Sequence, residues 1–304
     1  MQISEAIAMY LRHLEAKRRS ASTISWYHEQ FAAYGRWSAA AHIGDELPSA
    51  EQIDQYLADQ HGAGLSPSTV HARYRALRAV FRFLEKRRRL RHDDNPIHLL
   101  EAPTVPVEAR RYVTPDDLER IIGAIDGQSW LDHRDRLILS ILFYSGLRVT
   151  ELCDLAVADI DAARLEVVVR SGKGEKARVV PTAPEVRQFL AAYLYSRPNH
   201  AEQLLLKSDG WEGSGGKLHR EGVRQMLIRR CRAAGVVPPF SPHAFRHGFA
   251  MWTLNSGARL TTVSAMMGHS DPQITHQIYA HTTVTTVRRE YDAARLALGK
   301  ARNR

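Results

Sequence analysis

Between Arg91 and Arg111 the hydrophobic periodicity of this chain stops. Asp93, Asp94, Asn95, Pro96, Pro103 and Pro106 interrupt any regular element there, and the two later prolines bias Ala102 and Val105 toward extended backbone. A linker over 91–111 divides the 304 residues into a smaller unit, 1–90, and a larger one, 112–304, each able to bury its own core. No internal repeat or low-complexity segment offers another division.

Ahead of the break the pattern is helical throughout. Ile7, Leu11 and Leu14 recur at helical spacing behind a candidate Ser4 cap. Ile24, Tyr27, Phe31 and Tyr34 form a second stripe, and Ile53, Tyr56 and Leu57 a short third. The fourth, Val70, Tyr74, Leu77, Phe81 and Leu84, follows the start signal Ser66-Pro67-Ser68-Thr69. The other side of this fourth helix is basic. Arg73, Arg75, Arg78, Arg82, Lys86, Arg87, Arg88, Arg89 and Arg91 stand against one acid, Glu85. A solvated face, a nucleic-acid backbone and an anionic membrane surface all suit such a run.

Composition narrows the function classes. Forty-two Lys and Arg against thirty-three Asp and Glu give a formal charge of +9, which favours a polyanionic partner. Two cysteines, Cys153 and Cys231, are too few for a disulfide framework or a four-cysteine zinc site. The longest apolar run, Leu137 to Leu147, is broken by Ser140 and Ser145 and is too short to cross a bilayer. Glu5 lies in the first apolar stretch, where a secretory signal would be uncharged, so a cytoplasmic protein is expected.

Beyond the break, Thr114-Pro115-Asp116-Asp117 starts a helix continued by Leu118, Ile121, Ile122 and Ile125. An apolar helix from Arg136 to Tyr144 ends at Ser145-Gly146. Leu165 to Arg170 and Ala177 to Pro181 read as two strands about a turn, Ser171 to Lys176. The remainder reads as helices, including a basic one from Leu218 to Arg232. The fold class expected is mainly α with a small β-hairpin or sheet, an α+β larger domain following an all-α N-terminal one.

Individually, the polar residues of interest are weak signals. Gly146-Leu147-Arg148 could be a helix end, and Gly172-Lys173-Gly174 lacks the full spacing of a phosphate-binding loop. His243 and Arg246 share a face of one first turn behind Ser241-Pro242. Gly268 suits a left-handed helix cap ahead of His269. In order, however, FYSGLRVTEL with Arg148, VRSGKGEKARVVP with Lys173, SPHAFRHGFA with His243 and Arg246, MMGHSDP with His269 and HQIYAH with Tyr279 resemble the active-site signature of the tyrosine recombinases, the phage integrase family. The resemblance covers essentially the whole larger domain, and the basic helical domain ahead of it is similar to the family's SAM-like core-binding domain. The overall length resembles Xer-type and other minimal integrases.

That resemblance implies a site-specific DNA recombinase working through a 3′-phosphotyrosyl intermediate on Tyr279. Attack on a phosphodiester concentrates negative charge on phosphate oxygens, and forked guanidiniums such as Arg148 and Arg246 match them, with His269 as a further donor. A tyrosine hydroxyl has a reference pKa of about 10 and needs help to attack. His243 is placed to assist, although either histidine could be the base. The family assigns protonation of the leaving 5′-hydroxyl to the hairpin lysine, here Lys173. Because the phosphotyrosyl link conserves the bond energy, no metal, ATP or other cofactor is expected. Glu151 matches a supporting acid of the family, with ordinary capping near Thr150 as the alternative.

Lys176 and Arg178 are expected to meet phosphate or solvent, and His247 to make a structural hydrogen bond. Arg73, Arg75, Arg78, Arg82 and Lys86 on the first domain, with Arg220, Arg224 and Arg229 on the second, are the candidate DNA contacts. The implied partners are duplex DNA carrying an inverted-repeat recombination site, further copies of the chain in a tetrameric synapse, and a possible second recombinase or accessory protein. Nucleoid association in the cytoplasm follows, with no role for a membrane. Val284, Val287, Tyr291, Ala294 and Leu298 form a terminal stripe that packs in cis or, as in family members, on a neighbouring subunit. Two departures from the Xer-like pattern are the ten-residue interval from His269 to Tyr279, where many members have nine, and His276, where a small hydroxyl residue is common. A type IB topoisomerase uses similar residues to rejoin the original strand, and a DNA-binding regulator with a vestigial site is the non-enzymatic alternative.

Overall fold

The structure is a computed structural model and describes residues 1–106, 111–170, 177–208 and 216–268. The chain divides into two compact units, Met1–Ala109 and Arg110–Arg304.

The first unit holds four helices, α1 (Ile3–Ala16), α2 (Ala21–Ala40), α3 (Ala50–Gly62) and α4 (Pro67–Lys86). α4 is central and packs on the other three. Its stripe Val70, Tyr74, Leu77, Phe81 and Leu84 is buried, joined by Ala76 and Val80, which widens the apolar face. Ser66 caps it by accepting from the Thr69 N–H at 3.3 Å, with Pro67 at the first helical position. Ser4 does not cap α1, which starts one residue earlier at Ile3. The Ser4 backbone N–H and hydroxyl both donate to the Asp45 carboxylate instead. Within 91–111, Pro96–Leu99 forms a 3₁₀ turn against α3 and α4, with Ile97 and Asn95 buried. The compact first unit therefore runs past the break in periodicity.

The second unit is built around α6 (Trp130–Ser145), preceded by α5 (Pro115–Gly123). α6 begins six residues before the apolar pattern because Ser129 and Asp132 form a capping box. Leu137 to Phe143 are buried on every side, as expected of a central helix. After it come α7 (Val149–Asp154), β1 (Ile160–Asp161), β2 (Glu166–Val169), β3 (Arg178–Pro181), α8 (Pro184–Ser196), α9 (Arg220–Ala233), α10 (Pro242–Asn255) and α11 (Leu260–Met267). The three strands form an antiparallel sheet in the order β1-β2-β3, with Val169 opposite Arg178. Alternation sends Val167, Val169 and Val180 inward and Val168 and Val179 outward. β1, only two residues long, has no counterpart in the sequence pattern. α8 and α10 pack on α6. The mainly α architecture with one small sheet is the expected fold class.

Candidate active site

The site grows from the end of α6. Gly146 closes that helix in the left-handed conformation (φ 59°), and a Cβ there would stand 2.2 Å from the Phe249 ring. Only glycine satisfies both demands. The chain then turns through buried Leu147 and leaves Arg148 at the start of α7. The Arg148 backbone N–H donates to Glu151 Oε2 at 2.8 Å, and its Nη1 to Glu151 Oε1 at 2.9 Å. Glu151 thus caps the helix and orients Arg148 at once.

Glu151 also receives the fork of Arg178, with Nη1 to Oε1 at 2.9 Å and Nη2 to Oε2 at 2.8 Å. Burial alone pushes the Glu151 carboxyl up. The Arg178 fork and the Arg148 backbone N–H outweigh it and hold the group below the usual carboxylate range. Arg178 lies on the inward face of β3 with Val180, and its side chain is only 13% exposed. The expectation that it meets phosphate or solvent does not match this placement, because its donors go to Glu151 and to a helix end.

That helix end belongs to α11. Arg178 Nε donates to the Met266 carbonyl at 2.8 Å, Arg246 Nη2 to that of Met267 at 2.5 Å, and Arg148 Nη2 to that of Gly268 at 2.9 Å. The last carbonyls of a helix lack intrahelical partners and carry its negative dipole end, so three guanidiniums are well placed there. Arg246, buried on α10, also donates from Nη1 to the Gly146 carbonyl at 2.6 Å. It ties the end of α6 to the end of α11. Gly268 is left-handed (φ 64°), and a Cβ on it would sit 2.8 Å from Arg178 Nη1. Arg148, Arg178 and Arg246 thus gather on the last turn of α11.

Ser241 caps α10 by accepting from the Ala244 N–H at 3.2 Å, and His243 is exposed in the same first turn, three residues before Arg246. His247 is buried, its ring edge-on to Tyr112 at 5.2 Å. Gly248 admits the preceding segment, since a Cβ there would meet the Val113 carbonyl at 2.2 Å. The structure therefore brings together Arg148, Glu151 and Arg246, with His243 on the same helix turn as Arg246. Lys173, Lys176, His269 and Tyr279 lie outside the described residues, as does the terminal stripe from Val284 to Leu298.

The other basic candidates divide by partner. Arg82 and Lys86 are exposed on α4, Arg78 is half-buried, and Arg75 is exposed with its guanidinium 5.9 Å from the Trp26 ring centre. Arg73 instead donates to Gln30 Oε1 at 2.9 Å within the first unit. On α9, Arg220 is exposed and Arg224 pairs with Glu221 at 3.1 Å. Arg229 reaches Asp135 Oδ2 at 3.0 Å, and Arg230 the same oxygen at 2.8 Å. Asp135 is fully buried and also accepts from Arg134, so part of this basic face neutralises an internal acid. Arg229 keeps 59% of its side chain exposed despite that bond.

Comparison with known proteins agrees with this architecture. The profile of the Phage integrase family matches residues 111–285, and that of the Phage integrase, N-terminal SAM-like domain, matches residues 7–88. Tyrosine recombinase XerA of Thermococcus kodakarensis is 32% identical over 293 residues, covering 96% of each chain. Tyrosine recombinase XerC of Xanthomonas campestris pv. campestris is 31% identical over 292 residues, 95% of this chain and 88% of its own. Among solved structures, a Tn1549 transposon integrase in complex with transposon right end DNA superposes with a TM-score of 0.72 at 21% identity, covering 98% of this chain and all of that one. A lambda integrase dimer bound to a core site gives 0.71 at 17% identity, covering 90% of this chain and 97% of that one. The chain belongs to the phage integrase family and is a tyrosine recombinase. Its similarity to Xer-type members extends over nearly its whole length.

Proposed function

We propose that this chain is a site-specific DNA recombinase that cleaves and rejoins strands through a 3′-phosphotyrosyl intermediate on Tyr279. The observation that carries the reading is the convergence of Arg148 and Arg246 on the last turn of α11, immediately ahead of His269. In this reading the two guanidiniums grip the scissile phosphate and stabilise the charge that attack concentrates on it. Glu151 and Arg178 keep Arg148 in place. His269 adds a donor, and His243 assists removal of the Tyr279 proton.

The Tyr279 oxygen attacks phosphorus and the bond to the 5′-oxygen breaks, with Lys173 protonating the departing alkoxide. Attack by a 5′-hydroxyl from another duplex reverses the step on a new partner. Such exchange requires several copies on inverted-repeat DNA, so the active assembly is a tetrameric synapse, with or without a second recombinase. The C-terminal stripe is its coupling element, and truncation after His281 impairs assembly while the monomer still folds. The exposed arginines of α4 and α9 hold the duplex, in a cytoplasmic, nucleoid-associated protein.

A nicked suicide substrate tests the proposal. The wild-type chain forms a covalent complex, and Tyr279→Phe binds with unchanged affinity but captures nothing. Affinity falls steeply with salt as phosphate contacts release counterions. Relaxation of supercoiled DNA without exchange between sites would favour a topoisomerase instead, and undiminished capture by Tyr279→Phe would remove the nucleophile from the account.

A further inference from the structure

At the C-terminal end of α4, Glu85 faces two histidines that the following turn brings back onto it. Glu85 Oε1 lies 2.7 Å from His92 Nδ1, and Oε2 lies 3.0 Å from His98 Nε2. One ligand atom from each residue falls within 4.8 Å of the other two. The imidazole ring centres are 4.2 Å apart. We propose that Glu85, His92 and His98 form a binding site for one divalent late first-row transition metal ion, zinc being the reference case.

The donor set supports this. Two imidazole nitrogens and one carboxylate oxygen suit zinc and its neighbours, whereas magnesium and calcium prefer all-oxygen sites. Ligand atoms around tetrahedral zinc stand about 3.3 Å apart at its usual bond lengths, and the nitrogen–oxygen separations of 2.7 and 3.0 Å lie slightly inside that value. The carboxylate is also held from behind. Asn95 is 1% exposed, donates from Nδ2 to Glu85 Oε2 at 2.7 Å and accepts from the Ile97 N–H at 3.1 Å. A buried amide fixing a ligand carboxylate is the kind of outer support that metal sites use. The side chains of His92 and His98 are 70% and 37% exposed, which leaves a path for the ion and room for a water as fourth ligand.

Metal binding would replace the hydrogen bonds between the imidazoles and Glu85 with bonds to the ion. Its physical effect is to clasp the segment 92–98 to the end of α4, stiffening the point where the first unit's last helix gives way to the chain beyond. This role is separate from strand cleavage, which the proposed function assigns to side chains of the second unit.

The test is calorimetric titration of zinc into the untagged full-length chain, with cobalt spectroscopy as a geometric readout. The wild type binds one zinc per chain, resists competition by excess magnesium, and gives the intense visible bands of a low-coordinate cobalt site. His92→Ala and His98→Ala each weaken zinc at least tenfold, and the double variant abolishes the cobalt bands. His61→Ala, an exposed histidine elsewhere on the unit, changes neither. Both target rings are exposed, so the variants keep the fold, which circular dichroism verifies. Zinc binding by the double variant within tenfold of wild type, or no stoichiometric binding by the wild type, overturns the proposal.

Discussion

Glu151 and Arg178 meet through two parallel hydrogen bonds of 2.8 and 2.9 Å, and the same carboxylate orients Arg148. A strand residue thus bears, through one acid, on the posture of an arginine that shares its carboxylate oxygen. Arg178 also holds the last turn of α11.

Arg178→Ala is therefore expected to slow covalent capture about 100-fold, the scale at which a misplaced catalytic group costs an enzyme. DNA affinity changes little, because Arg178 acts on its neighbours rather than on phosphate. Arg178→Lys recovers only part of the rate, since an ammonium cannot reproduce the fork. Single-turnover capture at saturating DNA, beside an independent binding isotherm, separates the two effects. A variant that loses affinity and keeps its rate would place Arg178 on the DNA instead.

Gly268→Ala strains the chain twice. The left-handed backbone costs a Cβ-bearing residue about 1–2 kcal/mol, and the new methyl must displace the Arg178 guanidinium. Capture falls while α11 itself persists, which hydrogen exchange of its amides checks.

Asp135 accepts from Arg134, Arg229 and Arg230 with no exposure of its own. Asp135→Ala leaves several cations facing a buried gap and is expected to lower stability by about 3–5 kcal/mol. Urea denaturation of the second unit's transition measures it, and a loss below 1 kcal/mol would show that the cluster is solvated.

Burial pushes the Cys153 thiol up to about 11 from an ordinary 9.0. A raised pKa in the fold contributes stability that is complete below the unfolded value and is lost as pH rises through the folded one. That contribution accordingly begins to fade above pH 9 and is gone beyond about 11. Native Cys153 resists alkylation at pH 8, and denaturant exposes it, which mass spectrometry of iodoacetamide adducts reads directly.

Local chemistry was the most legible part of the sequence. The Ser66 and Thr114 caps, the helix end at Gly146 and the left-handed Gly268 each depend on a few adjacent residues, and each stands where the pattern places it. The first half of α6 has no local signature, because His133, Arg134 and Asp135 look like loop residues. Arg134 is satisfied from afar by the Leu206 carbonyl, and Asp135 by α9. Arg178 alternates with inward-facing Val180, so the strand pattern itself turns it inward. Its partner, however, lies 27 residues earlier, a separation that no local pattern encodes. Ser4 shows the converse, a good cap residue drawn into a different bond by Asp45.

The most direct measurement is peptide mapping of the trapped complex. After capture on a suicide substrate, nuclease trimming and proteolysis should yield one nucleotide-bearing peptide, with the phosphate on Tyr279. Attachment at any other residue, or a complex that dissociates on denaturation, would contradict the account at its centre.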